Sequence, residues 1–380
     1  YFYFLVLHKH DGILLVLVLQ QPAKAEDPRP SMHGMAAEIT ALQKFLVSDA
    51  DFSSSANEKA IQKSFAVLTE HLDHLGQGTF KDDPALKVNL SLLQSHVKDA
   101  SRSFGQGSKS FARYMMQSSL QMCIACHTRK KAVDFSWPEP NAKDLPPIDR
   151  ADYFFATRQF QKGLKDYEEI VNGYPGNHAG QWNLRKSLLA VAVYYARVSE
   201  DPAAGATFFK KVSERDDLPQ YLREELAAWS KEFRSWSKEK PGANLEKMGE
   251  RELLAKAKKI LRHDDFSIAS SSDRSFHVRR LRASAILQRV LESPGEKSPL
   301  KADALLLLGQ IYPRLSASLF FRFGDMYLKA CITDYPKTSV ARSCYVALEH
   351  AVTEGYTGSA GTNVPEDEQV ELMRLKRLAY

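Results

Sequence analysis

The spacing of apolar side chains constrains the fold of this chain more than any other feature of its sequence. From residue 32 onward, apolar residues recur at alternating intervals of three and four, the period of one face of an α-helix. The first stripe consists of Met32, Met35, Ile39, Leu42 and Leu46. Three more stripes, separated by short loops, lie within residues 61–75, 84–97 and 111–131. Four amphipathic helices in succession predict an antiparallel four-helix bundle over residues 26–134.

A proline-rich segment ends this pattern. It contains Trp137-Pro-Glu-Pro140 and Leu145-Pro-Pro147. Because proline cannot continue a helix, we expect residues 135–149 to link two domains.

The chain beyond the linker is again helical in pattern. Its beginning resembles a tetratricopeptide repeat, although Ile170 stands where a small residue is usual. The positions that fit are Ala151, Phe154, Gly163, where two helices are expected to cross, Tyr167 and Pro175. Further paired helices follow in irregular register, which predicts a repeat-like helical array in two regions, 150–240 and 241–380. The expected fold class is therefore all-α, a four-helix bundle followed by a tetratricopeptide-like array.

The first 25 residues have the pattern of an export signal. A short apolar run, Gly12–Leu19, follows Lys9 and precedes Ala23-Lys24-Ala25, a small-x-small cleavage motif. The run is too short to cross about 30 Å of hydrocarbon, which argues against a membrane anchor. We expect cleavage after Ala25 and an exported, periplasmic protein of bacterial type.

The charge pattern says little about partners. The formal net charge is +6 and is spread along the chain. Basic clusters such as Arg129-Lys130-Lys131 and Arg279-Arg280 are too short to indicate nucleic-acid binding.

Two of the four cysteines, Cys331 and Cys344, flank a turn at residues 334–338. On two antiparallel helices they would lie at similar positions along the helix axes, so in an oxidising compartment they can form a disulfide. Two buried thiols are the alternative.

The other two cysteines belong to Cys123-Ile-Ala-Cys-His127. In a helix, residues at i, i+3 and i+4 share one face. Two thiols at this spacing add across the two vinyl groups of a haem, and the following imidazole binds the iron. We therefore predict one covalent haem c on Cys123 and Cys126, with His127 as the proximal iron ligand.

Two other interpretations of this motif fit less well. A thioredoxin-type dithiol belongs to a βαβ setting, and the sequence shows none. A structural zinc site needs four ligands, and no second pair is present. Haem attachment also requires export, which the signal segment supplies.

Residues 30–132 resemble the cytochrome c-prime family and its low-spin relatives. The resemblance depends on Met32-His-Gly-Met35 and on the haem motif about ninety residues later. The chain also resembles uncharacterised bacterial monohaem cytochromes that have a repeat-like C-terminal domain, including Ala156-Thr-Arg-Gln-Phe160. In low-spin relatives a methionine of the first helix closes the sixth iron position, whereas an open position binds small gases.

The sequence leaves several candidates for the sixth iron ligand. We favour Met35, one helical turn deeper than Met32, which is the alternative; His33 is a third candidate. His71, His74 and His96 could in principle give bis-histidine ligation, but each has polar neighbours and is expected to be solvated.

The haem propionates need cations or water, because a buried unpaired carboxylate is costly. Arg129 and Lys130 follow His127 directly, and Arg113 precedes it on the same helix. We also expect Phe111, Tyr114 and Met115 to pack in the bundle core towards the haem.

No hydrolytic triad, HExxH or phosphate loop occurs, so the sequence does not indicate a hydrolase. The first hypothesis is a single-electron carrier whose helical array docks a redox protein or a membrane complex. The second is a haem protein that binds or senses a small gas. The third is a protein-binding scaffold.

Overall fold

The computed structural model describes the chain in segments: residues 27–77, 84–128, 145–176, 180–239, 245–262, 264, 274–293, 298–315, 323–359 and 361–380, with the backbone of two N-terminal strands. The fold is all-α, as predicted, and this part of the chain contains sixteen α-helices. None of them combines the length and the apolarity needed to span a membrane.

The N-terminal helices are α1 to α5. Their bounds are α1 Arg29–Leu46, α2 Asp49–Ser53, α3 Glu58–Gln77, α4 Pro84–Gly105 and α5 Lys109–His127, with a 3-10 turn at Ser55–Asn57. The strands β1 Leu5–Lys9 and β2 Gly12–Val16 precede them as an antiparallel pair. Apart from these two strands, the predicted signal segment lies outside the described residues.

The C-terminal helices are α6 to α16. Their bounds are α6 Pro147–Ala156, α7 Phe160–Gly173, α8 Gln181–Val193, α9 Pro202–Ser213, α10 Gln220–Ser237, α11 Glu250–Leu261, α12 Phe276–Glu292, α13 Pro299–Leu315, α14 Phe323–Asp334, α15 Ser339–Gly355 and α16 Glu366–Ala379. A π-helical turn, Tyr194–Val198, extends α8; a 3-10 turn occupies Leu245–Lys247; and β3 Thr357–Gly358 pairs with β4 Gly361–Thr362.

Boundaries differ from the predicted ones where the apolar period is weak. The short helix α2 and the helices α11, α12 and α16 were not predicted as separate elements. Helix α6 begins at Pro147, inside the predicted linker, because proline is tolerated in the first turn of a helix. Residues 129–144, which make up most of that linker, lie outside the described part.

The apolar stripes form the core of the N-terminal helices as predicted. Helix α1 packs on α3, α3 on α4, and α4 on α5. Leu42 from α1, Leu72 from α3, Val97 from α4 and Met116 from α5 are buried in one cluster. The 3.6-residue period therefore identified the buried faces of α1 and α3. In α4 the buried apolar residues are Leu90, Val97, Ala100 and Phe104, of which the period indicated only Val97.

The predicted inward face of α5 was wrong. Phe111 is 56% exposed and Tyr114 is 55% exposed, while Met115 is only half-buried. The buried residues at the start of this helix are Ala112 and Met116. Ala112 and Met116 therefore mark the packed face at the start of α5, and the two aromatic side chains lie outside it.

Helix α5 is buried on two sides towards its end. Leu120, Ile124 and Ala125 belong to the core of the C-terminal helices, and α5 packs directly on α6. Helix α4 also contacts α12 and α14. The N-terminal helices are therefore held against the C-terminal helices through both α4 and α5.

A buried carboxylate strengthens this junction. Asp152 on α6 accepts hydrogen bonds from Gln121 Nε2 of α5 at 2.8 Å and from the Tyr167 hydroxyl of α7 at 2.5 Å. It also forms an ion pair with Lys186 of α8. Since a buried charge is stable only when it is paired, these contacts fix the positions of four helices around one side chain.

Gly163 lies where α6 and α7 cross. A Cβ atom at this position would lie 2.4 Å from the ring of Phe155, closer than real contacts allow. The close crossing predicted at this glycine is therefore confirmed.

Of the two alternatives for Cys331 and Cys344, a disulfide or two buried thiols, the structure has the disulfide. The two residues lie on α14 and α15, both are fully buried, and their sulfur atoms are bonded. The bond closes a short loop, with 13 residues of sequence separation, around the turn between the helices.

Removing this disulfide should destabilise the protein. A loop of this length corresponds to about 3 kcal/mol of unfolding free energy, chiefly because the bond restricts the unfolded chain. We expect Cys331→Ala/Cys344→Ala to lose about that amount in urea denaturation, and reduced wild-type protein to lose a similar amount. A double variant as stable as oxidised wild type would contradict this.

Candidate functional site

A deep cavity opens between the N-terminal helices and the turn after α6. Its volume is about 220 Å³. It is lined by Pro28, Arg29, Met32, His33, Met35, Ala36 and Ile39 of α1 and its approach; Leu68, Leu72 and Leu75 of α3; Leu86, Asn89, Leu90, Leu93 and Val97 of α4; Met116, Ser119, Met122, Cys123, Cys126 and His127 of α5; and Ala156, Thr157 and Arg158 after them. Most of these side chains are apolar, so the cavity suits a large apolar group.

The three residues of the haem motif line this cavity together. Cys123, Cys126 and His127 lie at the end of α5, and neither cysteine is disulfide-bonded. Burial, together with the neighbouring Cys126, raises the pKa of the Cys123 thiol to about 12. Cys123 is therefore a protonated thiol at neutral pH, facing an apolar space.

His127 is held by a residue of the C-terminal helices. Its Nδ1 lies 2.6 Å from the carbonyl oxygen of Ala156. Because a carbonyl can only accept, Nδ1 carries the proton and Nε2 keeps its lone pair. Burial and the nearby Arg158 lower the pKa of the imidazole to about 4. A neutral imidazole oriented through one nitrogen and unprotonated on the other is the form that binds metal.

The Ala156 carbonyl is available because of how α6 ends. Gln159 N donates to Phe154 O at 2.8 Å and Arg158 N donates to Phe155 O at 3.2 Å, the pattern of a Schellman motif. The carbonyl of Ala156 accepts neither bond and remains one of the unsatisfied acceptors of a helix end. It can therefore accept the hydrogen bond from the imidazole.

The start of α1 brings two thioethers to the same cavity. Met35 is buried and Met32 is half-buried, and both line it; His33 lines it too but is exposed. Gly34, between them, allows α3 to approach: a Cβ there would lie 2.0 Å from Nε2 of His71. The candidate sixth ligands and the haem motif therefore line the same cavity.

The other three histidines do not line this cavity. His96 Nε2 is 2.7 Å from Met115 O and 2.8 Å from Ser118 Oγ. His74 Nδ1 is 3.2 Å from Ser31 Oγ, and His71 packs on Gly34. His74 is exposed, as expected, whereas His71 and His96 are half-buried. Each of the three contacts a neighbouring N-terminal helix.

Arg113 lies away from the cavity. Its guanidinium donates to Leu46 O at 2.7 Å and to Val47 O at 3.0 Å, the unsatisfied carbonyls at the end of α1. Arg113 is therefore a helix-end partner and not a residue of this site. Arg129 and Lys130 lie outside the described residues.

Arg158 is the cavity residue that sequence reasoning missed. It lines the cavity beside Cys126 and His127, although it follows them by about thirty residues in the chain. The sequence contained one signal, the stretch Ala156–Phe160 noted for its resemblance to other monohaem cytochromes. Its proximity to the motif depends on the packing of α5 against α6.

The donor set fits a haem better than a closed metal site. Across the described segments, no group of three or more His, Cys, Asp and Glu side chains is arranged to hold a bare metal ion. Two thiols, one oriented imidazole and apolar walls are what covalent attachment of a porphyrin requires. The residues present therefore fit haem c.

Comparison with protein-family models, with curated proteins and with solved structures finds no match for this chain.

Proposed function

We propose that this chain is an exported monohaem c-type cytochrome that carries single electrons. In this proposal α1, α3, α4 and α5 form a four-helix bundle around the haem, and α6 to α16 form a tetratricopeptide-like array. The observation that carries the proposal is the neutral His127, oriented by Ala156 O at 2.6 Å and lining one apolar cavity with Cys123 and Cys126.

Different residues of the cavity would bind different parts of the haem. Cys123 and Cys126 would bind its periphery through thioether bonds, and His127 Nε2 would bind the iron. Met35, with Met32 as alternative, would supply the opposite ligand. When bound, the haem supplies an iron centre that accepts and releases one electron.

The walls of the cavity favour a carrier. The leucine side chains of α3 and α4 give the site apolar surroundings, and a thioether ligand would raise the reduction potential. A closed sixth position also leaves no place for a substrate.

The partner is proposed to be a redox protein or a membrane complex that docks on the array. Because α4 and α5 already cover α6, α12 and α14, docking would use the remaining surface of the C-terminal helices. The buried disulfide on α14 and α15 supports the proposed periplasmic location, since such bonds persist in oxidising compartments.

Visible spectroscopy of the matured protein tests this function. Produced with a haem-attachment system, the protein should be red, and its mass should exceed that of the mature polypeptide by one haem. Ferric protein should show low-spin bands with a sulfur-to-iron charge-transfer feature, and ferrous protein should take up carbon monoxide slowly or not at all. High-spin ferrous protein that binds carbon monoxide at once would support the gas-binding alternative, and colourless protein would refute both.

A further inference from the structure

The side chain of Arg158 presents a positive charge to the edge of the apolar cavity. It is close enough to Cys126 and His127 for their electrostatic interactions to matter, and partial burial lowers the pKa of its guanidinium. A cation in such a place is costly unless an anion or several acceptors compensate it.

No such partner exists within the described residues. The backbone N–H of Arg158 donates to Phe155 O, but its half-buried guanidinium makes no hydrogen bond or ion pair in those parts of the chain. The other cation at the cavity, Arg29, forms an ion pair with Asp27 and is therefore compensated. Arg158 is thus placed to receive a negative group from a ligand.

The backbone of Arg158 positions it at the cavity. Its φ angle is +61°, a conformation for which glycine is the usual residue. This conformation belongs to the turn that ends α6, in which Arg158 N donates to Phe155 O, and the turn brings Thr157 and Arg158 into the cavity lining.

We propose that Arg158 is the anion receptor of this cavity and binds a carboxylate of an apolar ligand, which in the holo-protein is a haem propionate. The identity of the ligand rests on the proposed function; the anion receptor itself rests on the geometry. The end of α6 and the turn after it then contribute two residues to the site. Ala156 O orients His127, and Arg158 binds the propionate. The haem site is incomplete without the C-terminal helices.

The reduction equilibrium of the holo-protein tests the role of Arg158. A fixed positive charge beside the haem disfavours the ferric form, so Arg158→Asn should lower the reduction potential. Asparagine tolerates positive φ, which keeps the turn intact. We expect at least a tenfold change in the equilibrium constant, equal to 59 mV for one electron.

Two variants control this measurement. Arg158→Lys keeps the charge and should shift the equilibrium less than threefold. Arg113→Gln removes an arginine of the same bundle that lies away from the cavity and should leave the equilibrium unchanged. Mass spectrometry must show one covalent haem in each variant. If Arg158→Asn and Arg113→Gln have the same potential, the proposal is overturned.

A second measurement separates this proposal from the proposed function. Full-length protein produced without haem attachment is titrated with anilinonaphthalene sulfonate, an apolar probe with one anionic group, after circular dichroism has shown equal helicity. Arg158→Asn should bind the probe at least tenfold more weakly than wild type, and Arg113→Gln should bind it equally. If wild type never acquires haem but this difference is found, the anion receptor stands and the haem assignment fails. Equal binding by all three proteins would overturn the receptor.

Discussion

The double variant Cys123→Ala/Cys126→Ala is expected to lose all covalently bound haem. Both thiols line the apolar cavity beside His127, and they are the only two cysteines that are not consumed by the disulfide. Without them no thioether bond can form. Intact-mass spectrometry after denaturation should give the mass of bare polypeptide, and the denatured chain should carry no visible absorption.

The other cysteine pair provides a matched control. Cys331→Ala/Cys344→Ala removes the same number of sulfur atoms from α14 and α15, and neither residue lines the cavity. This variant should retain one covalent haem and its spectrum, with reduced stability. Haem that stays bound in denatured Cys123→Ala/Cys126→Ala would disprove attachment through the motif, and with it the proposed function.

The second large effect is expected at the sixth iron position. Met35→Ala should convert the low-spin ferric spectrum into a high-spin one and allow rapid binding of carbon monoxide by the ferrous protein. Met35 is buried and lines the cavity from α1, whereas His127 lines it from α5, and alanine offers no ligand atom in place of Met35. Optical spectra with and without carbon monoxide measure both changes.

Two further methionines make the assignment specific. Met32→Ala should leave the spectrum low-spin if Met35 is the ligand; the opposite pattern would move the assignment to Met32. Met116→Ala is the control, because Met116 lines the cavity from α5 itself, eleven residues before His127. That spacing is about 16 Å along the helix, too far for both side chains to bind one iron. If no variant changes the spectrum, neither methionine is a ligand.

Local sequence was sufficient wherever one helix face decides the outcome. The spacing of Met35, Leu42 and Leu46 identified the buried face of α1, and Gly163 marked a helix crossing. The short turn between Cys331 and Cys344 made their pairing possible, and the structure contains the bond. In these cases the relevant partners are a few residues apart or repeat at the helical period.

Local sequence failed where an element has two packed faces. Helix α5 is buried against α4 on one side and against α6 on another, so its apolar residues no longer mark a single stripe. Phe111 and Tyr114 were therefore assigned to the core although more than half of each side chain is exposed. Arg113 was a weaker candidate for a propionate because it precedes His127 on the same helix, whereas in the structure it binds the carbonyls at the end of α1.

The sequence by itself determined the all-α class and the common helix face of Cys123, Cys126 and His127, because both follow from spacing along one chain segment. Only the tertiary structure decided that Ala156 O orients His127 and that Arg158 lies beside it. These residues come from a turn about thirty positions later, brought to the cavity by the packing of α6 on α5. A hydrogen bond or an electrostatic interaction depends on proximity in space, so the spacing of residues in the sequence does not predict which distant residues will form it.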